Sequence, residues 1–245
     1  MELLTAVVAT GVGILIGACG IGGVLLVSFL ALSGALGIHQ AAATSLFSFF
    51  FTGLLGTWLF QRKGTIAWRL AIPVCAGATL ASYAGTAVAA AMDARLLSVV
   101  VGGIIVAAGV NVLVPRPAPL AAEPRLAHGQ LSLLAVGAAS GFGSGLSGAG
   151  GPVFSVPIMI TLRHSALAAV GIGQVLQVVA ATAGSVGNLE RDLIDWRLAV
   201  WIAGFQLVGV IFGVRLAHAV NEKWIKMLAG ALCVLAGGML ALRTA

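Results

Sequence analysis

The sequence predicts an all-α integral membrane protein made of two homologous repeats, each with several membrane-spanning helices. Apolar residues make up 60% of its 245 residues and charged residues only 8%, and the mean hydropathy is +1.11. An ordinary soluble domain carries about 25% charged residues. Short segments of alternating polarity, which are typical of a membrane β-barrel, are not visible. The repeat itself appears as glycines and a tryptophan motif that recur 128 residues later.

The first repeat, residues 1–114, begins with two short apolar runs. They cover residues 3–18 and 24–37, and the glycine-rich stretch 20–23 separates them. Each run is shorter than the roughly 20 residues that a straight spanning helix needs. The runs are therefore two short spans, the arms of a re-entrant hairpin, or two halves of one broken helix.

Three longer segments complete the first repeat. Residues 40–60, 70–92 and 96–114 can each form a helix that crosses the hydrocarbon core. A positive loop with Trp68, a residue suited to the membrane interface, separates the first two segments. Only residues 93–95 separate the last two, so we expect those helices to be antiparallel neighbours.

A linker at residues 115–130 divides the chain near its midpoint. It opens with three prolines in five residues, which cannot continue a helix. Residues 131–245 form the second repeat, in which the Trp-Arg-Leu-Ala string of 68–71 recurs at 196–199. This agreement in one register indicates an internal duplication. Duplicated membrane halves are typical of secondary transporters, and a duplication that serves structure alone is the alternative.

The orientation of the second repeat depends on how the glycine stretch is counted. Two flanking segments give an odd number of crossings and inverted repeats, whereas one broken helix gives parallel repeats. Equivalent loops of inverted repeats lie on opposite faces of the membrane. The loop 61–69 carries a net charge of +3 and its counterpart 189–197 carries −1, which favours inversion with a cytoplasmic linker.

The glycine stretches form the predicted binding site. A helix that begins just after each stretch presents unpaired N–H groups and the positive end of its dipole to the break. Such groups need a partner inside a membrane, and glycine lets a ligand approach the backbone closely. Two such helix ends near the midplane favour a small anion. The glycines predicted to line this site are Gly20, Gly22, Gly23, Gly148, Gly150 and Gly151.

Hydroxyl and amide side chains are expected to complete the site. Thr44 and Ser45 are the candidates in the first half. The same register gives two residues without polar side chains in the second half, where Gln174 and Gln177 are expected to compensate. The alternative for each residue is that it bonds one membrane helix to another.

Arg215 is the one basic residue well inside a predicted span, which makes it a candidate for gating or for charge interaction with the substrate. Alternatively, its side chain snorkels to the surface. The sequence contains no acid pair, HExxH, nucleophile elbow or Walker motif, so no enzyme activity, metal or cofactor is predicted. The net charge of +6 orients the loops and does not indicate nucleic-acid binding.

Several motifs together resemble the sulfite exporter TauE/SafE family of membrane permeases. In chain order they are Gly20-Ile21-Gly22-Gly23, Ala42-Ala43-Thr44-Ser45, Gly64-Thr65-Ile66-Ala67-Trp68-Arg69-Leu70, Gly148-Ala149-Gly150-Gly151 and Asp195-Trp196-Arg197-Leu198. The resemblance covers residues 11–242. It implies transport of sulfite, a sulfonate such as sulfoacetate, or a related sulfur-containing organic anion across a bacterial inner membrane. The second half departs from the family pattern, because Gly171-Ile172-Gly173-Gln174 stands where a Thr-Ser pair is expected.

Residues and resemblance together predict a secondary transporter, of the exporter type, for a small sulfur oxyanion or sulfonate held between the two glycine stretches. Its other partner is membrane lipid, and a homodimer is left open. One alternative is an anion channel that uses the same helix dipoles. Another is a non-transporting membrane assembly subunit, in which bulky side chains would fill the glycine breaks.

Overall fold

A computed structural model describes residues 2–34, 36–114, 129–162 and 164–219, together with the single positions 223, 227, 231, 234, 235, 238 and 239. Throughout these ranges the chain is helical and contains no β-strand, which confirms the predicted all-α class. The predicted linker lies outside the described residues as far as position 128.

The helices follow the predicted order with boundaries shifted by a few residues. In the first half they are α1 (Glu2–Cys19), α2 (Gly23–Leu32), α3 (Ile38–Arg62), α4 (Trp68–Ala91) and α5 (Ala94–Leu113). In the second half they are α6 (Gln130–Ser147), α7 (Pro152–Thr161), α8 (Ala166–Leu189) and α9 (Trp196–Ala219). The starts of α1 and α6, of α3 and α8, and of α4 and α9 are each separated by 128 residues.

Four of the described helices, α3, α4, α8 and α9, are long and apolar enough to cross a membrane. Large apolar side chains are exposed along them, including Leu80, Val200 and Ile72. An apolar exterior of this kind would be unfavourable in water, whereas lipid chains cover it without penalty. The fold therefore presents a lipid-facing surface around a buried core.

The chain doubles back at the first glycine stretch. A straight continuation of α1 would carry residue 22 about 15 Å beyond residue 12. Instead, a Cβ added to Gly22 would lie 2.6 Å from the carbonyl oxygen of Val12. Gly20 turns the chain with a φ of 73°, a left-handed conformation that suits glycine. The short helix α2 has 10 residues, about 15 Å, so this segment is a re-entrant hairpin rather than one straight broken helix.

The second glycine stretch makes the same kind of turn. Gly148 and Gly150 have φ values of 65° and 85°. Beyond them, the ring of Phe154 on α7 returns to Gly143 on α6, where an added Cβ would lie 2.9 Å from the ring. The helices α6 and α7 therefore form a second hairpin. We call residues 20–23 the first turn and residues 148–151 the second turn.

The two longest buried helices, α3 and α8, cross antiparallel at the centre of the fold. Going up α3, Leu46 faces Gly184, Gly56 faces Gln174 and Phe60 faces Gly171. The residue number therefore falls along α8 as it rises along α3. Because these contacts are spread over most of both helices, the pair forms the backbone of the core.

The outer helices pack in two parallel pairs that join the halves. A Cβ added to Gly137 on α6 would overlap the carbonyl oxygen of Val74 on α4, and Gly13 on α1 stands in the same relation to Gln206 on α9. Glycines spaced four apart continue both seams, at Gly141 and Gly145 on α6 and at Gly17 on α1. Small residues let helix backbones approach this closely inside a membrane. The first helix of each half is therefore held by a helix of the other half.

Candidate functional site

The two turns touch each other inside the core. A Cβ added to Gly23, at the start of α2, would overlap the carbonyl oxygen of Ala149 in the second turn. A Cβ added to Gly148 would overlap the carbonyl oxygen of Ala42 on α3. Glycine is required at both positions because backbone, which cannot move aside as a side chain can, occupies the space. The structure therefore brings together the two stretches that the sequence singles out.

Each turn leads into a helix start that no side chain caps. Gly22 precedes α2 and Gly151 precedes α7, and neither makes a side-chain cap hydrogen bond. The first N–H groups of a helix have no partner within it, and this end of the helix carries partial positive charge. Pro152 opens α7 and has no N–H, so α7 offers fewer donors than α2. The donor geometry is consequently asymmetric.

The ring of Phe49 fills the space between the turns. A Cβ on Gly23 would lie 2.9 Å from Cε2 of this ring, and a Cβ on Gly150 would lie 3.5 Å from its Cδ2. Phe49 is fully buried, near the middle of α3. It is not among the site residues predicted from the sequence. The available signal was the register, because Phe49 is the counterpart of Gln177 at the 128-residue offset.

Gln177 lies beside the second turn and holds α8 to α3. Its Nε2 donates to the carbonyl oxygen of Phe49 at 3.2 Å and to Oγ1 of Thr52 at 2.7 Å. A Cβ on Gly150 would lie 3.9 Å from the amide carbon of Gln177. The amide therefore sets the position of Phe49 relative to the second turn.

Gln174 lies one helical turn earlier and reaches the first hairpin. Its Nε2 donates to the carbonyl oxygen of Ile16 at 3.0 Å, and the same oxygen accepts from the N–H of Gly20 at 3.0 Å. Oε1 of Gln174 lies against Gly56 and has no hydrogen-bond partner within the described part of the chain. One buried acceptor is thus left available at the centre of the fold.

The hydroxyls of Thr44 and Ser45 are used differently. Oγ1 of Thr44 accepts a hydrogen bond from the backbone N–H of Asp195 at 3.1 Å, which ties α3 to the loop before α9. Oγ of Ser45 is buried and makes no hydrogen bond to any described residue. Arg215 is exposed near the end of α9, and the structure does not bring it to the turns.

Other buried polar side chains were missed in the sequence. Ser28 on α2 and Ser155 on α7 are buried, and their hydroxyls have no partner among the residues that the structure describes. The signal was their place on the helices that follow the glycine stretches. Both amide atoms of Gln206 on α9 are also buried without a described partner. Only the packing of α9 against α1 reveals this burial.

The arrangement offers hydrogen-bond donors and neutral polar groups to a small ligand. Within the described ranges, no group of three His, Cys, Asp or Glu side chains could hold a metal ion. Helix N-termini, amides and hydroxyls can bind an anion without a full positive charge. The chemistry of the site is therefore binding rather than bond making.

The family model described as Sulfite exporter TauE/SafE matches residues 5–240. A curated relative, the probable membrane transporter protein y4hK of Sinorhizobium fredii, is 25% identical over 201 residues, which cover 75% of each of the two chains. No solved structure matches the chain.

Proposed function

The chain belongs to the sulfite exporter TauE/SafE family of membrane transporters, and on that premise we propose that its substrate is a sulfur-containing anion such as sulfite or an organosulfonate. The protein is a multi-pass membrane transporter of the bacterial inner membrane and not an enzyme. In our proposal it is a secondary carrier that exports the anion. The anion binds where the two turns meet.

The contact between the first and second turns is the observation that supports this proposal. Gly23 meets Ala149 beside Phe49, which lies near the middle of α3. Two uncapped helix N-termini therefore converge near the mid-height of a membrane-spanning helix. Discontinuous helices whose N-terminal ends point at an anionic substrate near the midplane are a recurring arrangement in secondary transporters.

Inverted repeats are the second part of the proposal. Helices α3 and α8 begin 128 residues apart and run antiparallel. Their contacts are also paired, because Leu46 meets Gly184 and the counterparts of these residues, Gln174 and Gly56, meet each other. A two-fold axis in the membrane plane would relate these contacts. Rocking of one repeat against the other could then expose the site to each side in turn.

The ring of Phe49 supports a carrier over an open channel. Because one ring packs against both turns, the described conformation is closed at the proposed site. A channel requires a continuous open path, whereas a carrier passes through closed states. A plugged glycine break would also fit a non-transporting subunit, but the chain belongs to a transporter family. We therefore assign the ring to the closed state of a carrier.

Ligand-dependent thermal unfolding of the purified protein tests the substrate assignment. Sulfite, sulfate, thiosulfate, sulfoacetate and taurine are compared with chloride at equal ionic strength. A ligand at 100 times its Kd stabilises the native state by about 2.7 kcal/mol, so the substrate raises the unfolding temperature. If none of the five compounds exceeds chloride, the proposal is wrong.

Flux in proteoliposomes then separates a carrier from a channel. A carrier shows saturable exchange of the stabilising anion at low turnover, whereas single-channel currents would contradict the carrier assignment. The wild-type protein is the right material for both tests. Substitution of Gly22 or Gly23 would not separate binding from folding, because an added Cβ at either position meets backbone oxygen.

A further inference from the structure

An apolar groove lies on the outer surface between α3 and α9. Its volume is about 410 Å³, and it is lined by Phe51, Leu54, Leu55, Trp58 and Leu207. Leu54 and Trp58 are about half exposed. The groove is separate from the turns, so a ligand bound in it is independent of the identity of the transported anion.

The groove has the length of one membrane leaflet. Phe51 lies near the middle of α3, and Arg62 is its last residue. The 11 residues between these positions rise by about 16 Å, close to half of the roughly 30 Å hydrocarbon core. A lipid acyl chain that ends at the midplane therefore matches the distance from Arg62 to the deep end of the groove.

A positive charge stands at the outer end of the groove. The guanidinium carbon of Arg62 lies 4.1 Å from the ring centroid of Trp58, which fixes the cation over the aromatic face. Trp58 thus serves both as a groove wall and as a platform for Arg62. Lys63 follows directly, and both side chains are exposed. Among the described residues no ion pair neutralises Arg62.

We propose that this groove binds a glycerophospholipid with an anionic head group. One acyl chain lies along the apolar wall, and the lipid phosphate pairs with Arg62. The planar guanidinium presents donors in a fork that fits phosphate oxygens. A free phosphate ion would gain nothing from the apolar wall, and a zwitterionic lipid would gain less from a site with two adjacent cations. Charge and length together select an anionic lipid.

Native mass spectrometry of the detergent-solubilised full chain tests this site. Phosphatidylglycerol and phosphatidylcholine with identical acyl chains are titrated against the wild type and three variants. Arg62→Gln removes the charge at the groove, and Leu55→Trp fills the wall. Arg69→Gln is the matched control, because it makes the same charge change in the same positive loop without lining the groove.

Wild type is expected to retain phosphatidylglycerol in preference to phosphatidylcholine. Loss of a hydrogen bond to a charged group weakens binding on the order of tenfold, so Arg62→Gln should lower the affinity for phosphatidylglycerol by that factor. Leu55→Trp should weaken both lipids, and Arg69→Gln should behave as wild type. Equal retention of both lipids by the wild type, or equal losses in Arg62→Gln and Arg69→Gln, would overturn the proposal. A dimer that Leu55→Trp converts to monomer with unchanged lipid retention would identify a second copy as the occupant instead.

Discussion

Replacing Phe49 with alanine tests whether its ring closes the proposed site. The side chain is fully buried between the turns, so the substitution removes packing and leaves a cavity. Burial of this kind makes a Phe→Ala change cost about 3–5 kcal/mol. At about 2–4 °C for each kcal/mol in a chain of this size, the unfolding temperature should fall by roughly 6–20 °C.

Phe60→Ala is the matched control for this loss of stability. Phe60 is also fully buried on α3, but it lies at the far end of the helix, against Gly171 and His218. The two variants make the same truncation on the same helix. They should therefore lose similar stability, and only the variant at position 49 should change the space between the turns.

Anion leak from proteoliposomes is the deciding measurement. If the ring forms the closed state, its removal should raise the leak at least about tenfold above Phe60→Ala, the change that about 1.4 kcal/mol in barrier height produces. The substrate should also raise the unfolding temperature of Phe49→Ala more than that of the wild type, because no ring needs to be displaced. Equal leak in the two variants would refute the gating role of Phe49.

Two further substitutions test the packing. Gly151→Ala should cost about 1–3 kcal/mol, because its Cβ would meet the movable side chain of Leu176, whereas Gly23→Ala should cost more, because its Cβ would meet the backbone of Ala149; equal unfolding temperatures would contradict the contact between the turns. Gln206→Leu should stabilise the protein by about 1–3 kcal/mol, since both amide atoms are buried without a described partner. Thermal unfolding beside Gln177→Leu, which loses two hydrogen bonds and should destabilise, measures this, and a loss of stability in Gln206→Leu would show that its amide is needed.

The helical architecture could be predicted because its causes are local or repeat along the chain. The long apolar segments, the proline-rich linker and the glycine stretches each depend on residues that are close in sequence. The predicted spans at 40–60 and 70–92 differ from α3 and α4 by no more than two residues at either end. The choice between a hairpin and a broken helix could not be made locally. It depends on Gly22 packing against Val12, a contact that only the folded chain reveals.

The details of the site depend on contacts between the halves, which the sequence does not display. Thr44 carries the expected hydroxyl, yet its oxygen accepts a bond from Asp195, far along the chain. Phe49 looks like an ordinary apolar residue in a membrane helix, and only the approach of both turns makes it notable. Burial of Gln206 likewise depends on the seam between α1 and α9. Composition does not distinguish these positions from their neighbours.

The two central helices contribute unequally to the proposed site. At the 128-residue offset, Leu46 and Phe49 on α3 correspond to Gln174 and Gln177 on α8. The first half therefore places apolar side chains where the second half places amides, and the shared contacts with Gly184 and Gly56 keep the backbones equivalent.

This inequality relates the missing Thr-Ser pair of the second half to the position of the amides. Amide donors from α8 cross to α1 and α3, where they bond the carbonyl oxygens of Ile16 and Phe49. The α8 amides thus hold the first turn and the closing ring in place. Because Gln177 fixes the backbone of Phe49, movement of α8 in an alternating cycle would carry the ring with it. A symmetric backbone with asymmetric side chains can in this way couple repeat motion to opening of the site.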